Sequence, residues 1–559
     1  MPSGAEILVE ALKREKVDKI FGIPGGAVLT LYDVLADSGI RHVLMRHEQA
    51  AAHAADGYAR ALGRAGVCIA TSGPGATNLV TGIATAYMDS SPVVAITGQV
   101  PRSMIGRNSF QEIDTASIMA AITKFVAQVM SAKDIPRIVR TAFSVALSDR
   151  PGPVLIDLPA DVQKEVVKKL DSSPTSIGAG STKTELNLLQ IKKVAEVLLR
   201  AERPIMLCGG GVIATNASNE VIELAEYLMS PVATTLMGKG AIPENHPLSL
   251  GTVGMHGRAE ASKAITEADV ILAVGVRFSD RTTGRFDEFG KDALIIHVDI
   301  DESEINKNVK ASLSIVGNAK DFLRELVRTV KELVPRRSEY PWLKKVLELK
   351  EKFKHVYERE GRGLEPWKLL KILRDLMPPN GILTTGVGQH QMWAALYYEV
   401  LMPRTFITSG GLGTMGFGLP AAIGAKAARP DVPVVCVDGD GSFMMTCQNL
   451  VTAVAENIPV VVIIFNNLSL GMVRQWQDLF YGKKFVATDL SPAPNYPKLA
   501  EAFGAEGLRV GNYEEFRSAI QKALASDYPT VIEVPVHPDE KVFPMIPPGR
   551  SLKEVMVGE

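Results

Sequence analysis

The chain has 559 residues, with 61 basic against 62 acidic and a formal net charge of −1; at roughly 100–200 residues per unit, that length calls for about three domains, each with its own core. The balanced charge gives no electrostatic grip on nucleic acid or on an anionic membrane, and the longest apolar runs, such as PVVVIIF from Pro459, fall well short of the roughly 18 residues of a membrane helix. Cys68, Cys208, Cys436 and Cys447 lack C-x-x-C spacing, so neither a zinc site nor a disulfide framework is indicated, and with an N-terminus unlike a signal peptide a reducing, cytoplasmic setting is expected.

Short β-branched runs alternate with helical patterns along the whole chain, which predicts an α/β fold of doubly wound parallel sheets. A first unit, 1–170, carries strand candidates VCIAT (67–71), VVAIT (93–97) and VLIDLP (154–159). The stretch 171–185 is rich in Ser, Thr, Gly and Pro, has no apolar period and reads as a linker. The second unit, 186–335, has PIMLCGGG, PVATT, VILAVGVRF and ALIIHVDID as strands, and the charged WLKKVLELKEKFKHVYEREGRG reads as a solvated helical connection. The third, 360–559, has ILTTGVG, VVCVDGDG, PVVVIIFNN and YPTVIEVP, and it is a candidate for the same fold as the first.

Asp438 and Asp440 end the apolar run VVCV, and a carboxylate there is costly unless something binds it. Open parallel sheets hold ligands beyond the carboxyl ends of their strands. One strand–helix–strand crossover later, PVVVIIFNN ends in Asn466-Asn467, which brings an amide oxygen beside Asp440. Such hard oxygens suit Mg²⁺, which keeps part of its shell for phosphate. Read alone, the glycine–aspartate run could simply cap a helix beginning near Ser442; Asn467 turns the reading toward a metal-bound diphosphate.

The stretch GDGSFMMTCQNLVTAVAENIPVVVIIFNN resembles the thiamine-diphosphate binding motif. That resemblance implies Mg²⁺ on Asp440, Asn467 and the carbonyl of Ser469, with Gly441 and Ser442 beside the diphosphate. In RHEQAAAHAADGYAR, Glu48 lies among small apolar residues suited to a proton-handling carboxyl, and the resemblance makes it the glutamate that activates the cofactor. His47 and His53 do not match H-E-x-x-H, so a zinc protease is set aside. By the same resemblance Pro74 and Asn78 of SGPGATN line the pyrimidine side, Val387, Gly388, Gln389 and His390 lie near the diphosphate, and Gly413 and Met415 meet the ring, Met415 as the wedge that bends the cofactor. It also implies a dimer or larger homo-oligomer, with active sites between subunits.

TGQVPRSMIGRNSFQE, GVRFSDRTTG and NNLSLGMVRQWQ extend the resemblance, over essentially the whole chain, to the catalytic subunits of acetohydroxyacid (acetolactate) synthases. RFSDR resembles the signature of the FAD-containing biosynthetic members. CGGGVIA fits G-x-G-x-x-A after a strand, on its own a weak nucleotide signal. The resemblance places FAD, with no net redox role, along Gly209, Gly210, Leu236, Met237, Met255, His256, Gly275, Arg277 and Asp299. Arg281 would meet a 2-keto acid carboxylate, the plain alternative being a salt bridge to Asp280. Trp476 would favour 2-ketobutyrate as second substrate, Met472 and Val473 would line the thiazolium side, and Phe110 and Gln111 would come from the opposite subunit.

The implied reaction decarboxylates pyruvate and ligates the remaining hydroxyethyl unit to a second pyruvate or to 2-ketobutyrate, the first common step toward branched-chain amino acids. A small regulatory subunit is an implied partner. Three positions depart from the family pattern: Ala160 replaces a lysine, Gly386 an acidic residue and Asn318 an aspartate. The rival readings are an FAD-free catabolic synthase, another thiamine-dependent carboligase, and a catalytically silent flavin- or nucleotide-binding protein. RFSDR argues against the first, and the set Glu48, Asp440, Asn467 and Met415 against the last.

Overall fold

The computed structural model describes residues 1–168 and 186–558; the expected linker, 171–185, lies outside them. Strands rich in Val, Ile and Leu and buried on both faces require helices above and below, and the chain builds three six-stranded sheets on that plan, the paired strands parallel throughout. The first sheet runs from edge to edge through Arg41–Leu44, Lys19–Gly22, Gly66–Ala70, Val93–Gln99, Val154–Pro159 and Phe125–Gln128. The third runs through Phe406–Ile407, Ile382–Thr385, Val434–Gly439, Val461–Asn466, Thr530–Pro535 and Glu506–Arg509.

Counted within each unit, both sheets follow the order second, first, third, fourth, sixth, fifth. The two units therefore share one topology, as the sequence suggested. In that order the strand sequence reverses between the first and third strands, where a crevice opens. SGPGATN leaves the third strand of the first unit, and Asp440 leaves the third strand of the last. The register Gly439↔Phe465 sets Asp440 level with the Asn466-Asn467 end of the neighbouring strand.

The two units meet through equivalent helices, Glu48–Leu62 and Gly418–Ala428, each following the second strand of its sheet. Ala50, Ala51, Ala54 and Ala55 face Ala421, Ala422 and Ala425 in one buried cluster, and the backbones nearly touch. A Cβ on Gly57 would lie 2.2 Å from the carbonyl oxygen of Ala421, and one on Gly424 would lie 1.9 Å from that of Ala54. The alanines and glycines around Glu48 are thus a packing surface as well as the setting of the acid.

The central sheet runs Leu313–Val316, Leu294–Asp299, Val270–Val274, Pro204–Cys208, Val232–Thr234 and Ser249–Thr252. The charged segment after it forms the helix Pro341–Tyr357, and it is more than a solvated connection. Trp342, Leu343 and Val346 recur on the helical period and are buried, and the Trp342 indole N–H donates to the Pro204 carbonyl at 3.0 Å. No helix among the described residues is long and apolar enough to cross a membrane.

Candidate active site

At the end of the Val434–Gly439 strand two carboxylates are buried, Asp438 completely and Asp440 almost so. Desolvation pushes Asp438 up to about 7 and Asp440 up to about 6. The Asp440 carboxylate accepts from the Gly441 N–H at 3.0 Å and the Ser469 N–H at 3.2 Å. Asn467 Oδ1 accepts from that same Ser469 N–H at 3.1 Å. Two oxygens converging on one N–H leave lone pairs unused, and among the described residues no lysine or arginine is paired with either aspartate. The cluster therefore fits a cation held by one carboxylate and neutral oxygens. A site of three or more His, Cys, Asp or Glu ligands does not occur among the described residues.

Around the cluster, Asn467 Nδ2 donates to Gln389 Oε1 at 3.0 Å, and Ser442 Oγ accepts from the N–H groups of Val387 and Gly416 at 3.4 and 3.0 Å. Met415 reaches to within 3.6 Å of where a Gly441 side chain would begin. Sequence reasoning missed the partnership of His390 with Asp438, set 3.4 Å apart without hydrogen-bond geometry. Burial lowers His390 to about 3, so it is neutral there. His390 Nε2 and Asp438 Oδ2 have no hydrogen-bond partner among the described residues. Gly386 now has a physical reason, since its Cβ would fall 1.8 Å from Asp438 Oδ1. Gly388, with φ 155°, begins the helix Gln389–Tyr397.

Glu48 opens the helix Glu48–Leu62 and accepts from Asn78 Nδ2 at 2.9 Å. Pro74 begins the short turn that carries Asn78. Gly73 adopts a left-handed φ of 59°, and a Cβ there would strike the Gln111 backbone, so Gln111 lies over the same loop as Glu48. Phe110 beside it is 88% exposed. Among the described residues no hydrogen bond or ion pair joins Glu48 to Asp440, Asn467 or Ser469.

A cavity of about 940 Å³ lies where the three units meet. Of the nine residues expected at a flavin, Gly210, Leu236, Met237, Met255, His256, Gly275, Arg277 and Asp299 line it. Gly209 does not; its Cβ would lie 2.0 Å from the Gly275 carbonyl oxygen, so it is a close-packing glycine, and the unpredicted Gly211 takes a place on the wall. His256 Nδ1 and Trp476 Nε1 lack hydrogen-bond partners among the described residues, and burial raises Asp299 to about 6. Volume, glycine cradle and free polar atoms fit a flavin dinucleotide.

Arg281, Val387, Gly413, Met472 and Trp476 line the same cavity. The Arg281 guanidinium stands 5.9 Å from the centre of the Trp476 ring, and its distance to Asp280 is 3.8 Å with both side chains more than half exposed, too loose a pair to hold it. The other departures lie apart. Asn318 accepts from the N–H groups of Lys320 and Asp321 as a helix cap, and Ala160 begins a short helix in which Asp161 pairs with Arg102.

Family profiles match in chain order: the thiamine pyrophosphate enzyme N-terminal TPP binding domain over residues 2–118, its central domain over 191–326 and its C-terminal TPP binding domain over 386–534. A Methanocaldococcus jannaschii protein named a probable acetolactate synthase large subunit is 48% identical over 99% of this chain and 95% of its own length. The acetolactate synthase isozyme 2 large subunit of Escherichia coli K12 is 42% identical over 99% of both chains. Acetolactate synthase 1, chloroplastic, of Nicotiana tabacum is 45% identical over 99% of this chain and 84% of its own. The chain belongs to the thiamine pyrophosphate enzymes and, within them, to the acetolactate synthase large-subunit family. It is a thiamine-diphosphate-dependent enzyme.

Proposed function

We propose that the chain joins two 2-keto acids, releasing carbon dioxide from pyruvate and forming 2-acetolactate, or 2-aceto-2-hydroxybutyrate when the second acid is 2-ketobutyrate, at the head of branched-chain amino-acid synthesis. The observation that carries this reading is the shared cavity, in which Arg281, Met472 and Trp476 stand with Val387 and Gly413 beside the flavin-sized space. Bound thiamine diphosphate supplies the electron sink for decarboxylation. Asp440, Asn467 and the Ser469 carbonyl would hold Mg²⁺, and Gly388, Gln389, His390, Gly441 and Ser442 would surround the diphosphate. Glu48, kept in place by Asn78, holds and moves the proton at the pyrimidine ring. Arg281 binds the carboxylate of the incoming keto acid, since a guanidinium offers it paired N–H donors, while Met415 and Met472 shape the space at the ring. Gly210, Met237, His256 and Asp299 would hold FAD in the cavity they line, as a structural cofactor.

Among the described residues no hydrogen bond or ion pair joins Glu48 to Asp440, and Phe110 is strongly and Val473 half exposed, which supports a homo-oligomer in which a second copy completes each site. The relatives named large subunits support a smaller regulatory partner.

The test is acetolactate formation from pyruvate by the purified chain with Mg²⁺ and thiamine diphosphate, after flavin removal, with and without added FAD. FAD-dependent product is expected. Product without FAD transfers the chain to the flavin-free type, and no product rejects the carboligation reading. A second expectation concerns specificity. Trp476→Leu removes the ring that narrows the cavity, and since pocket contacts worth a methylene discriminate by roughly 10–200-fold, the preference for 2-ketobutyrate over pyruvate falls by about tenfold. An unchanged product ratio in a competition assay rejects that role.

A further inference from the structure

The helix Gln389–Tyr397 belongs to both cofactor regions. Its first residue meets the metal cluster, because Gln389 accepts from Asn467 Nδ2 at 3.0 Å and donates to Gln475 at 2.9 Å. Its flank, Met392 and Ala395, forms part of the wall of the flavin-sized cavity. The last turn contains no basic residue of its own. Instead, two cations from the central unit close it: Lys239 Nζ donates to the Ala395 carbonyl at 2.9 Å and Arg258 Nη1 to the Leu396 carbonyl at 2.9 Å.

Neither cation is a surface ornament. The Lys239 side chain is buried and its ammonium is gripped by both Glu244 oxygens at 2.6 and 2.7 Å, while Glu244 also accepts from the Val400 N–H at 2.7 Å just past the helix. Arg258 pairs with buried Glu260 at 2.8 Å and lies over the Tyr357 ring at 4.3 Å. Buried ions are expensive to desolvate, and these act where helix carbonyls carry partial negative charge. Both are rooted in the cavity wall. Lys239 directly follows the turn Leu236–Gly238, which carries Met237, and Arg258 sits two residues beyond His256, its N–H bonded to the Thr252 carbonyl at 2.7 Å.

We infer that Lys239 and Arg258 are positioning residues that transmit flavin binding to the diphosphate site, by fixing the helix Gln389–Tyr397 from its carboxyl end. This rests on the cofactor placement proposed above. A ligand that orders the wall at Met237 and His256 sets the two cations, the cations set the helix, and the helix sets Gln389 against Asn467. A flavin with no redox role then has a local task in this chain. Coupling of this kind is reciprocal, so each cofactor tightens the other by the same factor.

The experiment uses the full chain stripped of both cofactors. Thiamine diphosphate with Mg²⁺ is titrated by tryptophan fluorescence with and without saturating FAD, and FAD is titrated with and without thiamine diphosphate. In the wild type each is expected to tighten the other by one common factor, within the roughly 5–150-fold range of such couplings. The double variant Lys239→Met with Glu244→Gln, which leaves no orphaned charge, is expected to bind each cofactor alone while the factor falls toward one; Lys239→Arg restores much of it. Should the double variant not fold, Arg258→Lys tests the same coupling. Two bound cofactors with a wild-type factor of one, or a factor unchanged in the variants, overturn the inference and leave the proposed activity standing. A wild-type chain that binds no FAD overturns the inference together with the flavin placement it rests on, and leaves carboligation to the product assay.

Discussion

Glu48→Gln is expected to lower acetolactate formation by on the order of 10²–10⁴-fold, the range of a lost general acid–base, with thiamine diphosphate affinity nearly unchanged. The separation of the two effects follows from geometry. The glutamine keeps the oxygen that accepts from Asn78 Nδ2 at 2.9 Å in the wild type, so Asn78 stays satisfied and the helix start keeps its shape. What is lost is a group that can take up and release a proton. Equilibrium binding of the cofactor and product formation, measured on one preparation, check the two halves together. Activity within tenfold of wild type would remove Glu48 from the proton path, and loss of cofactor binding would make it a binding group instead.

Much of this arrangement is legible in the sequence, for physical reasons. The strands Val154–Pro159, Val434–Gly439 and Val461–Asn466 are buried on both faces, and such strands show as unbroken apolar runs. Lys19–Gly22, Arg41–Leu44, Leu313–Val316 and Glu506–Arg509 carry partly exposed or charged positions, and periodicity passed them over. Asp440 and Asn467 were readable because one crossover fixes their relation, whereas His390 against Asp438 and Lys239 against Ala395 depend on how separate elements pack. No local spacing encodes those contacts. Gly209 shows the opposite limit: the sequence places three glycines after one strand, yet which of them lines the cavity and which packs on Gly275 is settled by the approach of two strand ends.

Asp440→Asn should raise the Mg²⁺ concentration for half-saturation by at least about 100-fold, the upper cost of disturbing even a residue behind a metal ligand, and thiamine diphosphate binding should weaken with it, since on the proposed placement the diphosphate would be held through the metal. The amide is nearly isosteric and its oxygen can still accept from Gly441 and Ser469, so the defect is one of charge. Stability distinguishes this from misfolding. In the metal-free chain, burial raises the Asp440 carboxyl to about 6, above its value in the unfolded chain, so the charged form opposes folding above pH 6 and the opposition fades as the pH falls toward the ordinary carboxylate range. Metal-free Asp440→Asn is therefore expected to melt no lower than metal-free wild type at pH 7, with any advantage shrinking toward pH 4. Wild-type Mg²⁺ dependence in a folded variant would move the metal off Asp440 and leave the buried carboxylate at that strand end without a physical reason.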